Sequence, residues 1–235
     1  MDNQQYFLSI DNGTQSVRAI IFDAQGQLIA KSKIDIEPYF SDQPGWAEQH
    51  ADYFWDALCK ACQALWPLLP IPKESIAAVS VTTQRATAIA MGADNQPLRP
   101  AISWLDQRQV ETKPALGALE SALFTLVGAK PLVDLMHKQA EVNWIAQNEP
   151  NIWDKVHKFV LLSGYHNYKL TGEYKDAIAS TVGFLPFDYK TQQWADKRDW
   201  KWRAMPITQE MLPEVLRARA AAATAAGRRR GAGAP

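Results

Sequence analysis

Two apolar runs, residues 6–10 and 17–23, enclose six small or polar residues: Asp11, Asn12, Gly13, Thr14, Gln15 and Ser16, with Arg18 just beyond. Hydroxyls and backbone N–H groups around a tight turn form a concavity that suits phosphate oxygens. A carboxylate at a strand end can hold magnesium through water. A plain polar hairpin fits the same residues, with Asn12 and Gly13 serving only to supply positive φ. A second polar interruption, Gln84 and Arg85 in "SVTTQRATAIA", falls just past the end of an apolar strand. Ligands of α/β sheets gather there. The arginine offers a fork of donors to substrate oxygens, and pairing with a carboxylate is its competing use. In "AISWLDQR", Trp104, Asp106 and Arg108 alternate, and on an extended chain all three point to one side. An indole beside charged groups makes a platform for the C–H face of a sugar or polyol. A core tryptophan with an Asp-Arg surface pair explains the pattern equally.

These residues need a frame, and the hydrophobic pattern supplies one. Residues 6–10, 17–22 and 28–36 read as three successive strands, with "DAQGQ" as a hairpin turn. Residues 51–69 have helical spacing and are stopped by Pro70 and Pro72. The run "IAAVSVT", residues 76–82, is expected to be a strand buried on both faces. Another strand and turn follow in "ATAIAMGADNQPL", and further helical patterns span residues 107–127, 138–147 and 160–170. That order predicts an α/β domain with a mixed sheet flanked by helices.

Composition narrows the class. With 235 residues, 47% hydrophobic and 21% charged, the chain reads as globular rather than disordered or fibrous. The N-terminus lacks a basic region followed by a long apolar stretch, and no run reaches ~18 apolar residues. No membrane association is therefore expected, and the expected location is cytoplasmic. Cys59 and Cys62 are too few for a disulfide framework; three apart on a helix, they read as small core residues rather than a redox or metal pair. The 25 basic and 25 acidic residues balance, but five arginines lie from Arg217 onward with no acid, leaving 20 basic against 25 acidic residues before them. That Ala/Gly/Arg-rich tail, 217–235, has no large apolar side chain to offset its ordering entropy, so it is expected to be disordered. Its "GRRRG" has no interleaved aromatic residue, and no nucleic-acid partner is expected.

Taken together and in order, "DNGTQSVRAIIFD", "QPGWAEQ", "VTTQRATAIAMGADNQPLRPAISWLDQR" and "LTGEYKDAIAS" closely resemble the N-terminal domain of the FGGY carbohydrate kinases. The likeness runs over most of residues 6–215. It implies the actin-like ATPase (ribonuclease H-like) fold and ATP-dependent phosphoryl transfer to a hydroxyl of a sugar or polyol, with ATP and Mg2+ as cofactors. By motif, Asp11 would be the carboxylate near magnesium. Thr14, Gln15, Ser16 and Arg18 would face the nucleotide phosphates. Arg85, Trp104 and Asp106 would face the acceptor. The resemblance also implies domain limits: 1–216 is the N-terminal kinase domain, and the C-terminal domain that carries the catalytic base is absent. No catalytic residue is therefore assigned here, and the chain alone is expected to be inactive.

Departures shape the expected acceptor. Glycerol kinase has Arg-Glu where this chain has Arg85-Ala86, xylulokinase has Met-His, and "KPLVDLMHKQ" lacks the tyrosine that glycerol kinase places there. Space at Ala86 favours an acceptor of five or six carbons. Expected partners are that small molecule and, in a homodimer, a second copy. A non-catalytic actin-like nucleotide-binding or assembly module is the alternative reading. A ribonuclease H-like nuclease would need several carboxylates converging on two metals, and only Asp11 stands at a suitable strand end.

Overall fold

The computed structural model describes residues 5–111, 114, 116–181 and 184–216; the Ala/Gly/Arg-rich tail at 217–235 lies outside the described residues. Alternating apolar residues fold β1 (Tyr6–Asn12), β2 (Ser16–Asp23) and β3 (Leu28–Asp35) into an antiparallel meander, with Gly26 at φ 80° turning the second hairpin. After β4 (Glu48–Gln49) comes α1 (Ala51–Leu65), which tightens into a 3-10 turn over Trp66–Leu68. Pro67 has no N–H to continue the α-helical ladder, so the regular helix ends before 69. β5 (Ile76–Thr83) returns parallel to β1 and completes a mixed sheet in the order β3-β2-β1-β5.

The chain continues through β6 (Ala88–Met91), β7 (Ala101–Ile102), α2 (Ala118–Leu126), α3 (Lys130–Gln139), α4 (Glu141–Asn148) and α5 (Pro150–Trp153). Then follow β8 (Lys158–Leu161), α6 (Leu162–Thr171), β9 (Lys175–Ala177), β10 (Phe187–Asp188), β11 (Gln193–Trp194), α7 (Lys201–Ala204) and β12 (Glu214–Leu216). A second, antiparallel sheet has the order β4-β7-β6-β8, which the sequence pattern does not anticipate. One core joins Leu8, Ile10, Val17 and Ile21 to Phe54 and Leu65 of α1 and Tyr165 of α6. The other gathers Ile102, Trp144, Ile145, Phe159 and Leu212. Each such side chain contributes roughly 1.5–3 kcal/mol by leaving water.

Several expectations are corrected. β5 is not buried on both faces: Ser80 and Thr82 are exposed, because the strand pairs only with β1 and its outer face is uncovered among the described residues. The helix expected over 107–127 starts only at Ala118; residues 107–111 are irregular, held by side-chain contacts described below. The 138–147 pattern is broken at Ala140, whose extended backbone (φ −70°, ψ 117°) closes α3 and starts α4. Val160 and Leu161 belong to β8, where Val160 pairs with Ile89, and α6 begins one residue later. Asn12 and Gly13 do not have positive φ, so the first turn requires no left-handed residue.

Cys59 and Cys62 are free thiols on α1, and burial pushes Cys62 up to about 11. Only Cys62 packs against the core. No group of three His, Cys, Asp or Glu side chains able to hold a metal occurs among the described residues, and no described helix is long and apolar enough to cross a membrane.

The start of α6 is fastened by the buried carboxylate of Asp176. Ser163 Oγ–H donates to it at 2.7 Å and the Ala177 N–H at 2.8 Å, and a Cβ on Gly164 would lie 3.2 Å from Asp176 Oδ2. Burial outweighs these bonds and raises Asp176 from 3.8 to about 6. Between those values the folded chain holds a proton that the unfolded chain has released. The contribution of Asp176 to stability is thus complete below pH 3.8 and is lost as pH rises through about 6. We expect Asp176→Asn to gain roughly 3 kcal/mol relative to the parent between pH 4 and pH 7 in urea unfolding. A pH-independent difference would show that the carboxyl is not held protonated by burial.

Candidate active site

The β1–β2 turn is closed by the Gly13 N–H donating to Ser16 O at 3.0 Å, and is tied to the end of β3 by the Ile36 N–H donating to Gln15 O at 3.0 Å. It forms one wall of a cavity of about 760 Å³. Thr14, Gln15, Ser16 and Arg18 line this cavity together with Trp104, so two distant segments singled out in the sequence do meet. Trp104 is half-exposed, and its Nε1–H donates to Thr14 Oγ1 at 3.2 Å. Other lining residues were not anticipated: Lys33 and Asp35 of β3, with Pro38 and Tyr39 after it. The strand pattern held a signal, because Lys31, Lys33 and Asp35 alternate along β3 and Lys33 is registered against Arg18.

Across the three strands at this end of the sheet, Asp11 stands opposite Arg18 and Arg18 opposite Lys33. Arg18 pairs with Asp11 at 2.7 Å, and Lys33 pairs with Asp35 at 2.6 Å. Asp11 does not itself line the cavity; it meets it through Arg18, with Thr82 Oγ1 3.4 Å from its other carboxylate oxygen. Solvated pairs like these contribute only about 0–1 kcal/mol. A polyanion entering the cavity can therefore recruit both cations at small cost.

Arg85 is exposed and does not line the cavity. It follows Gln84, whose N–H donates to Asn12 O at 2.8 Å, so its segment is anchored to the end of β1. Ala86 stands in the left-handed region at φ 51°, a conformation that costs a non-glycine residue roughly 1–3 kcal/mol. Strain of this kind clusters at functional sites.

Trp104, Asp106 and Arg108 do not share a side. The Asp106 N–H donates to Ser103 O at 3.0 Å, so the segment turns instead of extending. Trp104 faces the cavity while Asp106 and Arg108 enter a buried ionic network. Arg108 grips both Asp106 oxygens at 2.8 and 2.7 Å and reaches Glu48 at 2.9 Å. Asp106 also accepts the Ala47 N–H at 2.7 Å. Arg99 pairs with Glu48, and with Glu149 at 2.6 Å. The Arg108 guanidinium lies 3.9 Å from the Trp46 ring centroid and 4.4 Å from that of Trp144. Asp106 thus braces the segment that carries Trp104, with its oxygens already engaged. A further contact had no sequence signal: Asn12 meets His166, 154 positions away, at 2.8 Å.

Residues 6–231 match the family model for the N-terminal domain of the FGGY carbohydrate kinases, a match that extends past residue 215, where the likeness was expected to end. The glycerol kinase of Thermococcus gammatolerans is 30% identical over 217 residues, covering 90% of this chain and 43% of that protein. A xyloylose kinase from Brucella ovis superposes with a TM-score of 0.74 at 22% identity, covering 90% of this chain and 43% of its own. Plasmodium falciparum glycerol kinase with ADP gives 0.67 at 23%, again over 90% and 43%. The chain therefore spans less than half the length of these relatives, and the structural likeness establishes the mixed α/β fold of the actin-like ATPases.

The ionic network yields a stability prediction. Arg108→Met is similar in side-chain size but leaves buried Asp106 without a cation and Glu48 with Arg99 alone. We expect a loss of about 3–5 kcal/mol in urea unfolding. A loss below about 1 kcal/mol would mean that water reaches the network and screens it.

Proposed function

Because the chain belongs to the FGGY family of carbohydrate kinases, we propose that it supplies the phosphate-binding and acceptor-binding walls of an enzyme that uses ATP to phosphorylate a hydroxyl of a sugar or polyol. One observation carries this reading. Thr14 and Ser16 of the turn, the cations Arg18 and Lys33, and Trp104 line a single cavity beside the end of β1.

Phosphoryl transfer asks the protein mainly for positioning and for charge stabilisation. Thr14, Gln15 and Ser16 present short polar groups that let the terminal phosphates approach the turn. Arg18 can pivot from Asp11 to phosphate, since that pair is solvated. Asp11, the carboxylate at the strand end, suits magnesium held through water, and the ion would neutralise phosphate charge. Trp104 packs on the carbon face of the acceptor, and Arg85 donates to its oxygens. Asp106 acts here as a positioning residue, through the turn it braces. Ala86 leaves room for an acceptor of five or six carbons. No residue of this chain is assigned as the catalytic base. A cytoplasmic location and a homodimeric state also belong to this proposal. Under the alternative reading, a non-catalytic assembly module, the cavity would bind no phosphate.

The test uses the chain itself. Magnesium pyrophosphate and MgATP should each shift the backbone amide resonances of Gly13–Ser16, and Arg18→Ala should weaken both by about 1.5–3 kcal/mol. Sugar-dependent ADP release should stay at background with pentuloses, hexuloses and polyols. Unshifted turn amides would refute the phosphate site, and turnover that disappears in Asp11→Ala would refute the placement of the catalytic base outside this chain.

A further inference from the structure

Asn12 is fully buried beneath the phosphate-side turn and is held at three points. Its Oδ1 lies 2.8 Å from His166 Nε2 on α6, its Nδ2–H donates to Gly13 O at 3.1 Å, and its backbone O accepts the Gln84 N–H at 2.8 Å. The opposite amide orientation would set Oδ1 against the Gly13 carbonyl, acceptor facing acceptor. Nδ2 must therefore face Gly13, Oδ1 faces the ring, and His166 carries its proton on Nε2.

That tautomer leaves His166 Nδ1 bare, and it has no hydrogen-bond partner among the described residues. The ring is 0% exposed and flanked by Trp55 and Tyr165, with centroids at 6.2 and 6.0 Å. Burial, aided by the Lys169 charge, pushes its pKa down to about 3, so the ring stays neutral. A buried nitrogen without a partner is unfavourable, and an apolar side chain would fill the space without it. Packing alone does not account for a histidine here.

We propose that His166 is a positioning residue for the candidate site: by fixing the Asn12 amide it sets the turn of Gly13–Ser16 relative to the segment of Gln84 and Arg85. Asn12 is the joint through which both are held, since one is bonded to its side chain and the other to its backbone. The inference rests on the turn being the phosphate site.

The experiment compares the chain with His166→Leu, which removes the donor, and His166→Gln, whose amide N–H can replace Nε2–H. Ring 15N shifts of the unmodified chain should report protonated Nε2 and bare Nδ1. The Leu variant should bind magnesium pyrophosphate roughly 3- to 10-fold more weakly and exchange the Gln84 amide faster. The Gln variant should stay within about twofold on both measures. A protonated Nδ1, a Leu variant with unchanged affinity and exchange, or equal losses in both variants would overturn the proposal. If the Leu variant does not fold, the tautomer and the Gln variant still decide. If the unmodified chain binds no pyrophosphate, the phosphate-site reading fails; Gln84 exchange that quickens with Leu but not with Gln would still support the coupling.

Discussion

Five charged side chains, Glu48, Arg99, Asp106, Arg108 and Glu149, are paired in a largely buried cluster around Trp46 and Trp144, and the segment that carries Trp104 to the cavity depends on that pairing. Burying one such ion alone carries a penalty of several kcal/mol, offset only when its donors and acceptors are met. Here the planar guanidinium of Arg108 bonds at its edge to carboxylates while its face rests on indoles, a combination that lysine cannot offer. The three acids outnumber the two bases. Beside the cluster, burial pushes the Glu141 carboxyl up to about 7, with the Asp106 charge a lesser contribution. The network staples the 46–49 segment to the 99–108 segment, where β4 already pairs with β7. Trp104 is presented to the cavity from a turn whose other side is fixed.

The β1–β2 turn side of the cavity is built on a different principle. Its frame is the regular register of β1, β2 and β3, which sets Asp11 opposite Arg18 and Arg18 opposite Lys33. Asn12 and Ser16 are buried behind the turn, whereas the charged pairs Arg18–Asp11 and Lys33–Asp35 stay solvated and exchangeable. Trp104, on its braced segment, lines the same cavity as the cations Arg18 and Lys33 of these solvated pairs, and its hydrogen bond to Thr14 joins it to the turn. The open face of the sheet, with Phe7, Ser80 and Thr82 exposed, lies on a chain that spans 43% of the length of its relatives.

The amino-acid sequence by itself determined the three-stranded meander, α1, the strand that returns beside β1, and the polar turn at residues 11–16. Each rests on signals within a dozen residues: alternation, helical spacing, and Gly or Pro punctuation. The family resemblance carried by four motifs set Trp104 with Arg85 on the acceptor side and the turn residues on the phosphate side; of that acceptor pair, Trp104 lines the cavity with the turn and Arg85 does not. Tertiary structure alone decided the rest. The "WLDQR" alternation looked like one face of an extended chain, but it turns because Asp106 and Arg108 find Glu48 and the Ala47 N–H some 59 positions back. Asn12 looked like a residue chosen for a positive φ, which it does not have; its side chain meets His166 across 154 positions. Near-continuous apolar character suggested that β5 is covered on both sides, yet how much of a strand is covered depends on its neighbours in the sheet and not on its own residues. Periodicity records which faces avoid water; which charged and polar groups meet is set by contacts between distant segments, and those carry no local pattern.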